Sequence, residues 1–328
     1  MLSIKYIKYL LAGVMIVFLA ACGGGGSSSS TGEAPVAAQE NQPETGDGQL
    51  LIGRFVDSSA VSGLRYTTDT QSDDTDGNGS FRFMAGESVV FSLGDITLPA
   101  VTAESVITPL AVFATDEITD VRVMNLSRLL QTLDVDGNPE NGLVLSDAAI
   151  ASATGLSVNF SSDTFDADVG NLVANSGAAQ VDLVAGIDAL ENLQETLFVE
   201  GVQERPVVEL SNTGGDGPAT HPLVGRSAEF VTRSHDVSGT ITILDDRTIE
   251  ISNFNYDGGG IAVYLYNGIG PDFRTPASQR IGPLLNNGTV YQNETFTVIL
   301  PDGLTLDDFN SISVWCEPFN VSFGDATF

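Results

Sequence analysis

Ser311-Ile-Ser-Val-Trp-Cys-Glu-Pro-Phe-Asn-Val-Ser-Phe-Gly324 is the stretch that decides the fold. Ile312, Val314 and Cys316 alternate with Ser311, Ser313 and Trp315, the period of a β-strand with one apolar face. Phe319, Val321 and Phe323 repeat that period after Glu317-Pro318 and predict a second strand. Cys316 therefore falls on the apolar side of a predicted strand, beside the chain's single tryptophan, Trp315.

The residues before it behave in the same way. Residues 237–243 and 248–252 alternate around Asp245-Asp246-Arg247, which predicts a hairpin, and 261–266 and 295–300 add further strands. Tyr256-Asp257-Gly258-Gly259-Gly260 is a loop in which backbone can approach another group closely. Residues 223–328 thus read as an antiparallel β-sandwich.

Residues 49–200 read as an α+β module, which makes the chain mainly β. Short β-type runs at 51–56, 63–67, 80–83 and 88–93 predict a small sandwich or meander. From Ser105 the pattern turns helical: 120–134 places Val123, Leu126, Leu130 and Leu133 on one stripe. Ser146 suits the N-cap of a short helix to Ala153, and 181–199 predicts a long helix using Val181, Val184, Ile187, Leu190 and Leu197. Residues 201–222, with Arg205-Pro206, Gly214-Gly215-Asp216-Gly217-Pro218 and His221-Pro222, read as a linker.

Two acidic turns have the spacing of calcium ligands. Asp74, Asp76 and Asn78 lead into Gly79, but Ala85 stands where a closing glutamate belongs. Asp134, Asp136 and Asn138 repeat the spacing, with Pro139 at the glycine position and Leu145 at the closing one. A hairpin turn and a helix stop account for the same residues without an ion.

The chain begins like an exported leader, residues 1–21. Lys5 and Lys8 are its positive region and residues 9–21 its apolar region, short for a membrane crossing of about 20 residues. Leu19-Ala20-Ala21-Cys22 resembles a bacterial lipobox, which implies acylation of Cys22 and a lasting membrane anchor. Gly23 rather than aspartate follows, as in lipoproteins sorted to the outer membrane. Residues 22–48, rich in Gly, Ser, Pro and Glu, read as a flexible tether.

With 43 acidic residues against 13 basic ones and a net charge of −30, the surface repels nucleic acid, which is excluded as a partner. The expected partners are the membrane, through Cys22, and an envelope protein or surface ligand. With Cys22 committed to lipid, Cys316 has no intramolecular disulfide partner. A Gly-x-Ser-x-Gly elbow, a His-Glu-x-x-His pair and a phosphate-binding glycine loop are all missing from the sequence, and it holds two histidines.

His235-Asp-Val-Ser-Gly-Thr-Ile-Thr-Ile243, Ile251-Ser-Asn-Phe-Asn-Tyr-Asp-Gly258 and Ser313-Val-Trp-Cys-Glu-Pro-Phe-Asn-Val-Ser-Phe-Gly324 resemble the DM-thirteen domain family. The resemblance covers the final third of the chain and implies a compact β module with an electron-transfer role centred on a cysteine. That cysteine would serve as a naked thiol or as the attachment point of a group such as haem. Cys316 matches it, and His235 matches the histidine that opens the first motif. Residues 258–263 depart from the more usual Gly-Pro-Asp-like run. Haem of the c type would require Cys-x-x-Cys-His, which does not occur. The ligands left for another haem are His221, His235, Cys316, Met84 and Met124, a poor set.

The neighbours of Cys316 count against a reactive thiolate. Glu317 is acidic, no arginine flanks the pair, and inward pointing raises a thiol pKa. A cross-strand residue such as His235 could reverse this. Two readings follow: redox work through Cys316, or a non-enzymatic binding or adhesion protein in which Cys316 is core.

Overall fold

In the computed structural model, which describes residues 49–328, alternation of side chains builds the first strands. The leader, Cys22 and the tether lie outside the described residues. In order come β1 (Leu50–Phe55), β2 (Val61–Ser62), β3 (Arg65–Thr67), β4 (Ser72–Asp74), β5 (Ser80–Met84), β6 (Ser88–Leu93), β7 (Ile96–Thr97), β8 (Val101–Thr102) and β9 (Val106–Ile107). β1 lies between antiparallel β5 and parallel β9, while β3 joins β4 to β6, which also pairs with β7 and β8. Phe55, Phe81 and Phe91 turn inward from these strands and meet edge to face, Phe91 4.8 Å from Phe55 and 5.2 Å from Phe81 between ring centroids.

Helices cover this core: α1 (Pro109–Val112), α2 (Val121–Thr132), and, after β10 (Leu143–Val144), α3 (Asp147–Ser152), α4 (Phe165–Asn175) and α5 (Gly186–Val199). Asp120 caps α2 through the Arg122 N–H, and the expected stripe of Val123, Leu126, Leu130 and Leu133 is buried. Ser146 caps α3 as its sequence suggests. Gln131 of α2 crosses to α5, donating to the Ala189 carbonyl at 2.9 Å and to the buried Asp57 at 2.7 Å.

The helix expected from residue 181 begins five residues later. The Thr132 hydroxyl accepts from Val184 N–H, and Arg128 donates to the Val184 carbonyl at 3.0 Å. Both backbone groups of Val184 are thereby committed outside a helix, and Val181 is left 72% exposed. The sequence reading places no helix at α4. Phe165, Val169, Leu172 and Val173 do have helical spacing and are buried there, among Asp166, Asp168 and Gly170.

The second half contains β11 (Ser227–Glu229), β12 (Val231–Thr232), β13 (Ser238–Ile243), β14 (Thr248–Tyr256), β15 (Val263–Gly268), β16 (Arg280–Leu284), β17 (Tyr291–Ile299), β18 (Ser311–Cys316) and β19 (Val321–Thr327). One sheet runs β11-β13-β14-β17 and the other β12-β19-β18-β15-β16, enclosing a second core between them. The fold is mostly β, with antiparallel sheets at the C-terminal end, as the alternation implies.

Two details depart from simple alternation. β18 is buried on both faces, because the second core covers one and residues 270–273 lie over Ser311 and Trp315 on the other. Ser311 donates to the Gly270 carbonyl at 2.6 Å, and Phe273 lies 5.5 Å from the Trp315 ring. Residues 201–222 carry no helix or strand yet run against the sandwich: Thr297 N–H donates to the Ser211 carbonyl at 2.7 Å and Gly217 N–H to Asp245 at 3.0 Å.

Leu190, fully buried on α5, should cost about 2–5 kcal/mol when cut to alanine, whereas Val181→Ala should change stability by under about 0.5 kcal/mol. Urea unfolding followed by circular dichroism measures both. Equal costs would contradict the helix boundary described here.

Candidate functional site

β18 delivers Cys316 to the interior, where its residue is 0% exposed. The thiol donates to the Ile261 carbonyl at 3.2 Å, and the Phe319 amide faces the sulfur. Burial pushes the thiol up to about 11, the Phe319 and Ile261 backbone notwithstanding, and the charges of Glu191 and Glu317 push the same way. At neutral pH Cys316 is therefore a protonated thiol.

Glu317, read from sequence as an unrelieved negative charge, is in fact paired. Arg280 of β16 donates to it from Nε at 3.0 Å and makes a closer second contact through its other nitrogen, and Tyr266 donates its hydroxyl. Arg280 also lies 4.0 Å above the Tyr264 ring. This arginine comes from β16, the edge strand that lies beyond β15 from β18, so linear neighbours gave no sign of it.

His235 adopts a left-handed backbone, φ 56°, in the turn before β13. Its Nδ1 sits 3.1 Å from both oxygens of Asp257, and its Nε2 lies 3.3 Å from Oε1 of Glu191 on α5. The imidazole lies tilted against Phe323, 4.0 Å between ring centroids. Gly259 closes the group: its N–H donates to Asp257 at 2.9 Å, and a Cβ there would stand 3.0 Å from His235 Nδ1. A larger residue would have to displace the imidazole.

Glu191 is the functional candidate that sequence reading missed. A signal was present, for it stands four residues after Ile187, a carboxylate at the spacing of the apolar stripe. Burial pushes it up to about 7, against the pull of His235 and with a further push from Asp188 and Asp257. For His235 burial acts downward, but the Asp257 hydrogen bond and the charges of Glu191, Asp257 and Asp188 outweigh it and leave the imidazole raised above 6.5. Glu191, Gln194, Glu195 and Phe198 of α5 line a cleft of about 50 Å³ with Gly258, Gly259, Gly260 and Gly288.

The other sequence candidates lie elsewhere. Asp76 accepts from the Asn78 and Ser80 amides at 2.8 and 2.9 Å, and Asp74 sits on β4 at 3.4 Å from Arg65. Asp136 accepts from the Asn138 amide and the Asn141 side chain, Asn138 accepts from the Glu140 amide, and buried Asp134 accepts from Val144 N–H. Among the described residues no group of three or more His, Cys, Asp or Glu side chains is placed to hold a metal ion. His221 contacts Asp307 at 3.2 Å. A haem does not fit beside Cys316: the sulfur is enclosed, and the cleft of about 50 Å³ is far below the roughly 300–1,000 Å³ of sites for molecules that size.

Residues 229–328 match the family model described as electron transfer DM13, so the chain carries a DM13 domain at its C-terminal end. Protein Skeletor, isoforms B/C, of Drosophila melanogaster is 38% identical over 126 residues, which is 36% of this chain and 16% of that protein. A cytochrome b561, DM13 and DOMON domain-containing protein of Arabidopsis thaliana is 27% identical over 105 residues, 31% of this chain and 11% of that one. The chain thus spans under a fifth of the length of these relatives. No solved structure matches it.

Glu191 and His235 both hold protons more tightly in the folded chain than their ordinary values of 4.5 and 6.5 allow. At these two sites the native state therefore binds more protons than the unfolded one as pH rises through 4.5 to about 7, and their contribution to stability falls across that window. Glu191→Gln should flatten the decline in melting temperature between about pH 5 and pH 8. An unchanged slope in the variant would remove Glu191 from the account.

Proposed function

We propose that this chain is an exported, lipid-anchored protein of the bacterial envelope, outer membrane by sorting, whose DM13 domain takes part in electron transfer with Cys316 as its redox-active group. The observation that carries this reading is the match of residues 229–328 to a domain described by electron transfer, with Cys316 on the middle strand of its sheet. One relative carries cytochrome b561 in its name, which supports a redox setting for the domain. Leu19-Ala20-Ala21-Cys22 supports the anchor, and the acidic composition supports a partner other than nucleic acid. Among the described residues no helix is long and apolar enough to cross a membrane.

The thiol's environment narrows the chemistry. A sulfur with 0% exposure, held protonated, is unsuited to thiol–disulfide exchange with a bulky partner, which needs a thiolate in contact with the incoming sulfur. The same observation favours a second reading, a binding or adhesion protein in which Cys316 fills the core as a small apolar side chain. Calcium at the 74–78 or 134–138 turn belongs to that second reading.

Protein-film voltammetry separates the two. Under electron transfer through Cys316, the wild-type chain gives a redox wave that Cys316→Ser abolishes while the melting temperature moves only a few degrees. Identical traces from both proteins would leave Cys316 as core. For the anchor, Cys22→Ser should release the chain from membranes into the soluble fraction, and retention of the variant would sink the lipid assignment.

A further inference from the structure

Of the two backbone segments that enclose the Cys316 sulfur, one shares a core with α5, a helix outside the DM13 domain, and the other packs against the first residue of that helix. Ile261, whose carbonyl takes the thiol proton's hydrogen bond, is 2% exposed and buries its side chain in the first core, the one that contains Leu190, Leu193 and Leu197 of α5. Phe319, whose amide faces the sulfur from the other side, packs against both cores. A Cβ on Gly186, the first residue of α5, would stand 3.2 Å from the Phe319 ring.

Polar contacts from the same helix hold the loop between Asp257 and Ile261. Glu191 faces the Gly260 amide and reaches His235, which in turn holds Asp257. Asn286 donates to the Gly260 carbonyl at 2.8 Å and to Gln194 of α5 at 3.3 Å. Gly258-Gly259-Gly260 has the largest backbone freedom to lose on ordering, so the loop's closed state depends on contacts made by others. Glu191, and Gln194 through Asn286, supply those contacts, while the first core takes the Ile261 side chain.

We propose that loop 257–261 is a shutter on Cys316 and that α5 is its latch: Glu191, acting on His235 and Gly260, and Gln194, acting through Asn286, hold the loop closed over the thiol, and releasing the loop while α5 stays in its core admits a reagent or partner to the sulfur. The inference deepens the reading of Cys316 given above and rests on it for biological meaning. The shutter itself is a statement about access. It explains how an enclosed sulfur can be reached without unfolding the sandwich, since loops of low local stability open independently of the core.

The test is alkylation of the full chain with iodoacetamide, read at the Cys316 peptide by mass spectrometry. Wild type, Glu191→Ala, Gln194→Ala and Val298→Ala are compared, the last a truncation in the second core away from α5. Glu191→Ala is expected to speed alkylation about tenfold or more over Val298→Ala at matched unfolding midpoint, with Gln194→Ala in the same direction. The excess rate should be flat in low urea, as local opening requires. Rates in both α5 variants no greater than in Val298→Ala overturn the shutter, and so does a rate that tracks global unfolding. If Glu191→Ala still speeds alkylation while Cys316→Ser keeps the voltammetric wave, the electron-transfer reading falls and the shutter stands.

Discussion

A carboxylate and an imidazole, both drawn partly out of water, meet where α5 touches the C-terminal sandwich. Removing Glu191 from solvent disfavours its charge, and the nearby Asp188 and Asp257 make that worse. His235 is the cation that makes the grouping tolerable, and its own charge depends on the carboxylates in return. The contact therefore has meaning only when both modules are present. It sits one loop away from the enclosed thiol, which ties the electrostatics of the junction to the environment of Cys316.

That environment follows from strand order. β18 is the middle of five strands, and both faces of the sheet are covered there, one by the second core and the other by chain laid over it. Ser311 and Trp315 are covered by Gly270 and Phe273, Ser313 hydrogen-bonds to Ser322 of β19, and Cys316 is covered by Ile261 and Phe319. Low dielectric around the sulfur keeps its proton on. Arg280 and Tyr266 pair with Glu317 and partly offset the charge that it places near the thiol, though Glu317 still adds to the upward push on Cys316.

The acidic turns illustrate how one sequence pattern serves two ends. Asp76 and Asp136 each accept from the amide two residues on, the bond by which an aspartate closes its own turn. The spacing that would aim alternate oxygens at a cation also aims them at successive amides. Which outcome prevails depends on where the rest of the ring of ligands comes from.

Local pattern alone determined most of the strands, the capped helices α2 and α3, and the position of Cys316 on an inward face, because side-chain period and capping chemistry act within a few residues. It also marked 223–328 as a β-sandwich through the alternation of its runs and the turns between them. Tertiary structure decided the rest. The start of α5 was set by Thr132 and Arg128, which claim the backbone of Val184 from a distant helix. The role of Glu191, the pairing of Glu317 with Arg280 and the enclosure of the Cys316 sulfur all arise from residues far apart in the chain. Burial and charge act through space, and the sequence orders residues only along the backbone.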